Sequence, residues 1–213
     1  MRFERKYFLN SNNNLIFKKF LIEENFRKIF SDRIVNSIYF DTQSFDFLYN
    51  NINGVKDRKK VRLRWYNEDY LNNTLEIKKK LGFVGWKESF QKISSFKNSV
   101  FNNLNDKTNF LNKVNHLAKS NINPILKIVY KREYFLSFCN KFRSTLDTDI
   151  KVFSLNNSKI YLNLNKSILE MKYNIEFDDD YRKFINQTNF NFRLQKFSKY
   201  ANSAILLKRN GLI

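Results

Sequence analysis

The sequence predicts an α+β fold of about eight strands with helices interspersed. Three observations predict it. Segments such as "KVRLRWY" (60–66) and "LEIKKK" (75–80) alternate apolar and charged side chains at period two, as a strand with one buried face does. Several such segments are joined by short connections, which makes them antiparallel neighbours. Between them lie stretches whose apolar residues recur at the spacing of an amphipathic helix.

Residues 2–9 set Arg2, Glu4 and Lys6 against Phe3, Arg5 and Tyr7, a strand pattern. Residues 14–30 fit an amphipathic helix with Leu15, Phe17, Leu21, Ile22, Phe26, Ile29 and Phe30 on one broad face. A strand is predicted over 35–42, then a short helix over 45–57 that stops near Gly54. Strands follow at 59–67, 73–80 and 84–92, and "LGFVGW" (81–86) reads as a tight hairpin turn. A weaker helical pattern covers 97–119. Strands are predicted at 123–136, which has the only proline, Pro124, at its start, and at 141–153 and 166–174. Helices are predicted at 178–188 and 192–208, the first opening on Asp178 to Asp180, an acidic run suited to a helix N-terminus.

With 42% hydrophobic and 17% aromatic residues, the 213-residue chain can bury a substantial core. Four Gly and one Pro leave little for flexible linkers, so residues 1–213 are read as a single domain. One cysteine, Cys139, excludes an internal disulfide and suits a reducing cytoplasm. The single histidine, His116, belongs to no His/Cys metal cluster. No apolar run approaches the ~20 residues of a membrane span, and the alternating N-terminus is unlike a signal-peptide core. A net charge of +19 predicts a polyanionic partner: nucleic acid, an acidic membrane surface or a phosphate-rich ligand.

The polar strand faces collect Arg2, Glu4 and Lys6; Tyr39 and Asp41; Arg62 and Arg64; Glu76 and Lys78; Lys87; Tyr130 and Arg132; Arg143, Thr145 and Asp147; Glu170 and Lys172. A sandwich would turn them to solvent. A closed barrel would cover its apolar outside with helices and line a wet interior with these charges. Like charges crowded together repel, and a chain of phosphates would offset them, with Arg gripping oxygens in bidentate fashion.

The ordered segments "RFERKY", "SIYFDT", "KVRLRWY", "LEIKKK" with "GWKESF", "YKREYF", "FRSTLDTDI", "ILEMKY" and "KFSKY" resemble the triphosphate tunnel metalloenzymes. Within them the chain is most similar to the polyphosphate polymerase domain of the vacuolar transporter chaperone (VTC) type. The related CYTH branch usually opens with Glu-x-Glu-x-Lys, where this chain has Arg2, Glu4 and Lys6. The resemblance implies a closed eight-stranded antiparallel β-barrel, or tunnel, with surrounding helices. It also implies a divalent metal, Mn²⁺ or Mg²⁺, and transfer of the ATP γ-phosphate to a growing polyphosphate chain.

Carried onto this chain, the resemblance makes Arg62, Arg64, Lys78, Arg132 and Arg143 the catalytic phosphate-holding set. Lys6 and Lys87 join them in the tunnel, and Lys172 follows from its strand face. Lys196, Ser198 and Lys199 would reach the nucleotide phosphates, and Glu170 would coordinate the metal. Tyr39 and Asp41 are read as a supporting pair, one that steadies an arginine or touches the ligand. Phosphoryl transfer needs positioning and charge neutralisation rather than a protein nucleophile, so the lack of a Ser-His or Cys-His pair is no obstacle. Other readings are an inorganic triphosphatase or polyphosphatase on the same tunnel, and a non-catalytic polyphosphate- or nucleic-acid-binding protein. The implied partners are ATP and polyphosphate, with no specific nucleic acid. A membrane-surface or protein partner for the basic exterior is left open.

Overall fold

The computed structural model describes residues 2–9, 13–82, 84–93, 104–155, 160–187, 194–195 and 197–213. In chain order the elements are β1 (Arg2–Leu9), α1 (Asn13–Glu23), β2 (Phe26–Lys28), β3 (Arg33–Asp41), α2 (Asp46–Ile52), β4 (Asp57–Tyr66), β5 (Thr74–Leu81) and β6 (Val84–Gln91). They continue as α3 (Leu104–Ala118), β7 (Asn123–Ser137), β8 (Arg143–Ser154), β9 (Tyr161–Asn163), β10 (Ser167–Asn174), α4 (Asp178–Gln187) and α5 (Lys199–Arg209). The chain is therefore α+β, as predicted.

Strands pair in the order β1-β10-β8-β7-β3-β4-β5-β6, with β2 beside β7 and β9 beside β8. The pairs β1–β10, β10–β8, β2–β7, β3–β4, β4–β5 and β5–β6 are all antiparallel. The sheet has ten strands, not the eight expected, and among the described residues no pairing of β6 with β1 closes it. The expected closed barrel is thus an open antiparallel sheet. One reason is visible at β1. Its free edge is taken by a later segment: Tyr7 bridges Leu194, and the Gln195 N–H donates to the Lys6 carbonyl at 3.0 Å.

Two compact units share these strands. The first comprises Met1–Arg33, Tyr130–Ile150 and Asn163–Phe197; the second comprises Ile34–Val129, Lys151–Leu162 and Ser198–Ile213. In the second, Val61, Leu63 and Trp65 of β4 and Leu75 and Ile77 of β5 are buried against Phe110, Val114 and Ala118 of α3. Those three recur every four residues, so they lie on one side of that helix. In the first, Phe17 and Leu21 of α1 and Tyr181 of α4 close over Tyr7, Leu146, Leu169, Met171 and Tyr173. Each such side chain contributes about 1.5–3 kcal/mol by leaving water. In both units the alternate residues, which carry the charges, therefore lie on the opposite face of the strands.

Two predicted helices end or begin elsewhere. The helix over 14–30 stops at Glu23, because Asn25 turns to φ 57° and Phe26–Lys28 pairs with β7 instead. Asparagine tolerates that left-handed conformation better than most residues. Phe26 still reaches the core, but from a strand. The helix over 192–208 starts only at Lys199: Ser198 is extended and its hydroxyl accepts the Ala201 N–H at 3.3 Å, capping α5. Residues 97–103, 188, 192–193 and 196 of the predicted helices lie outside the described residues. α4 opens on Asp178 as its acidic run predicted. No helix among the described residues is long and apolar enough to cross a membrane.

Asp41 anchors the end of β3. It is wholly buried, and its carboxylate accepts the N–H groups of Thr42, Phe47 and Leu48 at 2.8–2.9 Å and the Tyr200 hydroxyl. It thereby ties α2 and α5 to the sheet. Asp41→Ala strands these donors and is expected to cost about 3 kcal/mol, read as a lower urea midpoint at unchanged m-value. Tyr200→Phe, which leaves the amide bonds intact, is expected to cost about 1 kcal/mol in the same titration.

Candidate functional site

The charged face of the second unit is built by strand register. Tyr39, Arg62, Glu76 and Ser89 stand abreast across β3, β4, β5 and β6. One row away are Ser37, Arg64, Thr74 and Gln91; on the other side Lys60, Lys78 and Lys87 form a row of three lysines. Directly opposed like charges destabilise a sheet. Across the facing positions of β4, β5 and β6, Glu76 is the lone carboxylate.

Glu76 gathers the cations around it. It accepts Arg62 Nε at 2.5 Å and Lys87 Nζ at 2.9 Å, and Arg64 Nη1 lies at 3.8 Å. Burial would push its carboxyl up; the charges of Arg62 and Arg64 and the hydrogen bonds from Lys87 and Arg62 outweigh that and hold it at about 2. Arg62 also donates to the Tyr39 hydroxyl at 3.3 Å, and Arg64 Nε donates to Ser37 Oγ at 3.4 Å. Burial alone would raise the Tyr39 phenol, but Arg62, Arg64 and Lys199 pull it below its ordinary value. The Tyr39 ring is stacked on Tyr200 of α5 at 5.2 Å. Ser198, besides capping α5, accepts Lys60 Nζ at 3.0 Å. Six of the sequence-selected residues thus belong to this face and the start of α5: Arg62, Arg64, Lys78, Lys87, Ser198 and Lys199.

Five others belong to the first unit, on a face of mixed charge. Glu4, Lys172 and Arg143 stand abreast on β1, β10 and β8, next to the row Lys6, Glu170 and Thr145. Lys6 Nζ lies 2.7 Å from Glu4 and 3.7 Å from Glu170, and Lys172 pairs with Glu170. Arg132 is buried and holds both oxygens of the wholly buried Asp147, at 2.6 and 2.8 Å. Burial opposes the Arg132 charge, yet Tyr130 and Asp147 hold its pKa well above the ordinary value. Arg143 is exposed. Lys196 lies outside the described residues.

The metal question turns on this first-unit face. No group of three or more His, Cys, Asp or Glu side chains forms a cage among the described residues. Glu4 and Glu170, on adjacent strands and sharing Lys6, offer two carboxylates. Mg²⁺ and Mn²⁺ are commonly held by one or two carboxylates, with phosphate oxygens and water completing the shell. The donor set therefore fits a metal that arrives with a phosphate ligand.

The sequence matches the model of the VTC domain over residues 1–208. The chain belongs to the VTC domain family. Among curated proteins none matches it. Solved structures with the same fold are PH1819 of Pyrococcus horikoshii OT3, at TM-score 0.54 and 15% identity, covering 98% of this chain and 99% of that one. HpAC1 of Hippeastrum, an adenylyl cyclase candidate with a dominant triphosphatase activity, gives 0.59 at 14%, covering 100% and 97%. An adenylate cyclase candidate from Vibrio parahaemolyticus gives 0.56 at 14%, covering 93% and 95%.

In this VTC domain two residues have places that strand patterning did not assign. Asp41 secures α2 and Tyr200 rather than an arginine; it is Tyr39 that meets Arg62. Glu76 was visible on the polar face but not as the point where Arg62, Arg64 and Lys87 meet. Counting the β4–β5 register would have set it opposite Arg62. With its folded value near 2 and an ordinary value of 4.5, Glu76 contributes stability in full above about pH 4.5 and loses it as pH falls toward 2. The contribution is about 3 kcal/mol. Acid titration of unfolding is expected to show that loss in the native chain and a shallower one in Glu76→Gln.

Proposed function

We propose that this VTC domain is a metal-dependent polyphosphate polymerase that transfers the γ-phosphate of ATP to the end of a polyphosphate chain. The observation that carries the proposal is the sheet face of Arg62, Arg64, Lys60, Lys78 and Lys87 with a single carboxylate among them. Such a face is stabilised by a ligand with one negative charge every few ångströms, and a phosphate chain is that ligand. Arg62 and Arg64 supply the bidentate forks and the lysines supply point charges.

In the proposed step a terminal oxygen of the acceptor chain, ionised near neutral pH, attacks the γ-phosphorus in line. A new P–O bond forms, the bond from the γ-phosphorus to the β–γ bridging oxygen breaks, and ADP leaves with that electron pair. No protein nucleophile is required, and positioning plus charge neutralisation supply the rate. Glu170 with Glu4 is assigned to the metal, which when bound would neutralise charge on the phosphate oxygens. Lys6, Lys172, Arg132 and Arg143 are assigned to phosphate positioning, with Arg132 held in one orientation by Asp147. Ser198 and Lys199, with Lys196, are assigned to the nucleotide.

A triphosphatase or polyphosphatase is the second reading, favoured by the triphosphatase activity of the Hippeastrum neighbour. Water would then replace the chain as the attacking group. Single-stranded nucleic acid fits less well, because it requires exposed rings among the cations. On this face the ring of Tyr39 is covered by Tyr200, while Trp65, Leu63 and Val61 are buried on the other side.

The deciding assay incubates the pure chain with ATP and Mn²⁺ and resolves the products on a gel. A ladder of long phosphate chains, abolished by EDTA, is expected; orthophosphate without a ladder replaces the polymerase by the hydrolase. Arg64→Ala and Arg143→Ala are each expected to lower kcat/KM by about 30- to 1,000-fold, the equivalent of about 2–4 kcal/mol. Normal turnover in both, with melting temperatures unchanged, would remove these residues from the site.

A further inference from the structure

The end of the second unit where β5 turns into β6 carries apolar side chains that no core uses. Leu81, Val84 and Trp86 are 58%, 67% and 44% exposed, and Val55, in the connection before β4, is 41% exposed. Isolated exposed apolar residues need no explanation, but these are gathered. Leu81 pairs with Val84 and Lys79 with Trp86, so Leu81, Val84 and Trp86 share one face of the hairpin. The Gly82 N–H donates to the Lys56 carbonyl at 3.1 Å, which holds the Val55 connection against the turn. Gly82 has φ +58°, a conformation that glycine adopts freely.

Cations flank the turn, Arg58 and Lys80 on the strand face opposite the apolar one. Lys56 is exposed, Arg58 donates to the Val55 carbonyl at 3.1 Å, and Lys80 stands opposite Arg58. Of the nearby acids, Glu88 is paired with Lys79 at 2.6 Å, which leaves Asp57. β6 is also the end of the strand path, a position that soluble proteins usually blunt rather than decorate with exposed Trp and Val. Trp prefers the headgroup region of a bilayer, and each nearby Lys or Arg gains about 1 kcal/mol beside an anionic leaflet.

We infer that the β5–β6 hairpin tip, with the Val55–Arg58 connection beside it, is a docking wedge for an anionic membrane surface. Leu81, Val84 and Trp86 enter the headgroup layer, while Lys56, Arg58 and Lys80 meet the lipid phosphates and carboxylates. Leu81, Val84 and Trp86 lie on the strand face opposite Lys60, Lys78 and Lys87, Arg58 and Lys80 continue the lysine face one row toward the turn, and the inference does not depend on the proposed reaction.

The sequence carries its own reporter, because it has two tryptophans and the other, Trp65, is 1% exposed. The full chain is mixed with phosphatidylcholine vesicles with and without phosphatidylserine. Expected are pelleting with the phosphatidylserine vesicles only, a blue shift of tryptophan emission, and protection of Trp86 from iodide quenching. Leu81→Ser/Val84→Ser/Trp86→Ser is expected to weaken partitioning by at least about tenfold at an unchanged melting temperature. Lys19→Ala/Arg27→Ala, at exposed residues of the first unit, is expected to bind vesicles like the native chain. The inference is overturned if the chain ignores phosphatidylserine vesicles or binds neutral vesicles equally. It is also overturned if the triple serine variant partitions normally, if iodide still reaches Trp86 on vesicles, or if the double alanine variant loses binding.

Discussion

Three lysines abreast on adjacent strands, Lys60, Lys78 and Lys87, are a repulsive arrangement, and the rest of the second unit is organised to tolerate it. Lys60 is drawn aside to the hydroxyl that caps α5, and Lys87 is drawn diagonally to Glu76. Arg62 and Arg64 share that same carboxylate. One buried acid thus serves three cations, and their charges and hydrogen bonds hold its carboxyl well below the ordinary range. An anionic ligand laid along the face would relieve the same repulsion. Glu76 supplies negative charge between the arginines and Lys87 from within the sheet itself.

The first unit solves a different electrostatic problem. Its strand face carries Glu4, Asp147 and Glu170 among Arg2, Lys6, Arg132, Arg143 and Lys172, so acids and bases are interleaved there. Asp147 is spent on Arg132, which fixes that guanidinium at the cost of part of its fork. Glu4 and Glu170 share Lys6, which also donates to the Phe197 carbonyl. The second unit thus carries a surplus of positive charge on its strand face, and the first carries charges of both signs on its own.

Much of this was legible in the chain. The alternation in 60–66 and 75–80 placed Arg62, Arg64, Glu76 and Lys78 on the charged side, and the structure buries Val61, Leu63, Leu75 and Ile77 on the other. The acidic run at Asp178 marked the start of α4. These succeed because side-chain direction in a strand and dipole preference at a helix end depend on neighbours within a few residues. Less legible were Asn25, whose left-handed turn ends α1, and Ser198, whose cap starts α5 later than periodicity suggested. In both places apolar spacing continued through a break made by backbone geometry.

By itself the sequence determined the excess of positive charge, the two-faced strands and the residue types able to hold phosphate. It did so because each is written in composition or in spacing along the chain. Only the tertiary structure decided which charges meet: that Glu76 collects Arg62, Arg64 and Lys87, that Asp41 serves α2 and Tyr200, and that the edge of β1 receives Leu194 and Gln195. Those contacts join residues far apart in sequence, and strand register and edge occupancy are settled by the competition of all segments for the same hydrogen bonds.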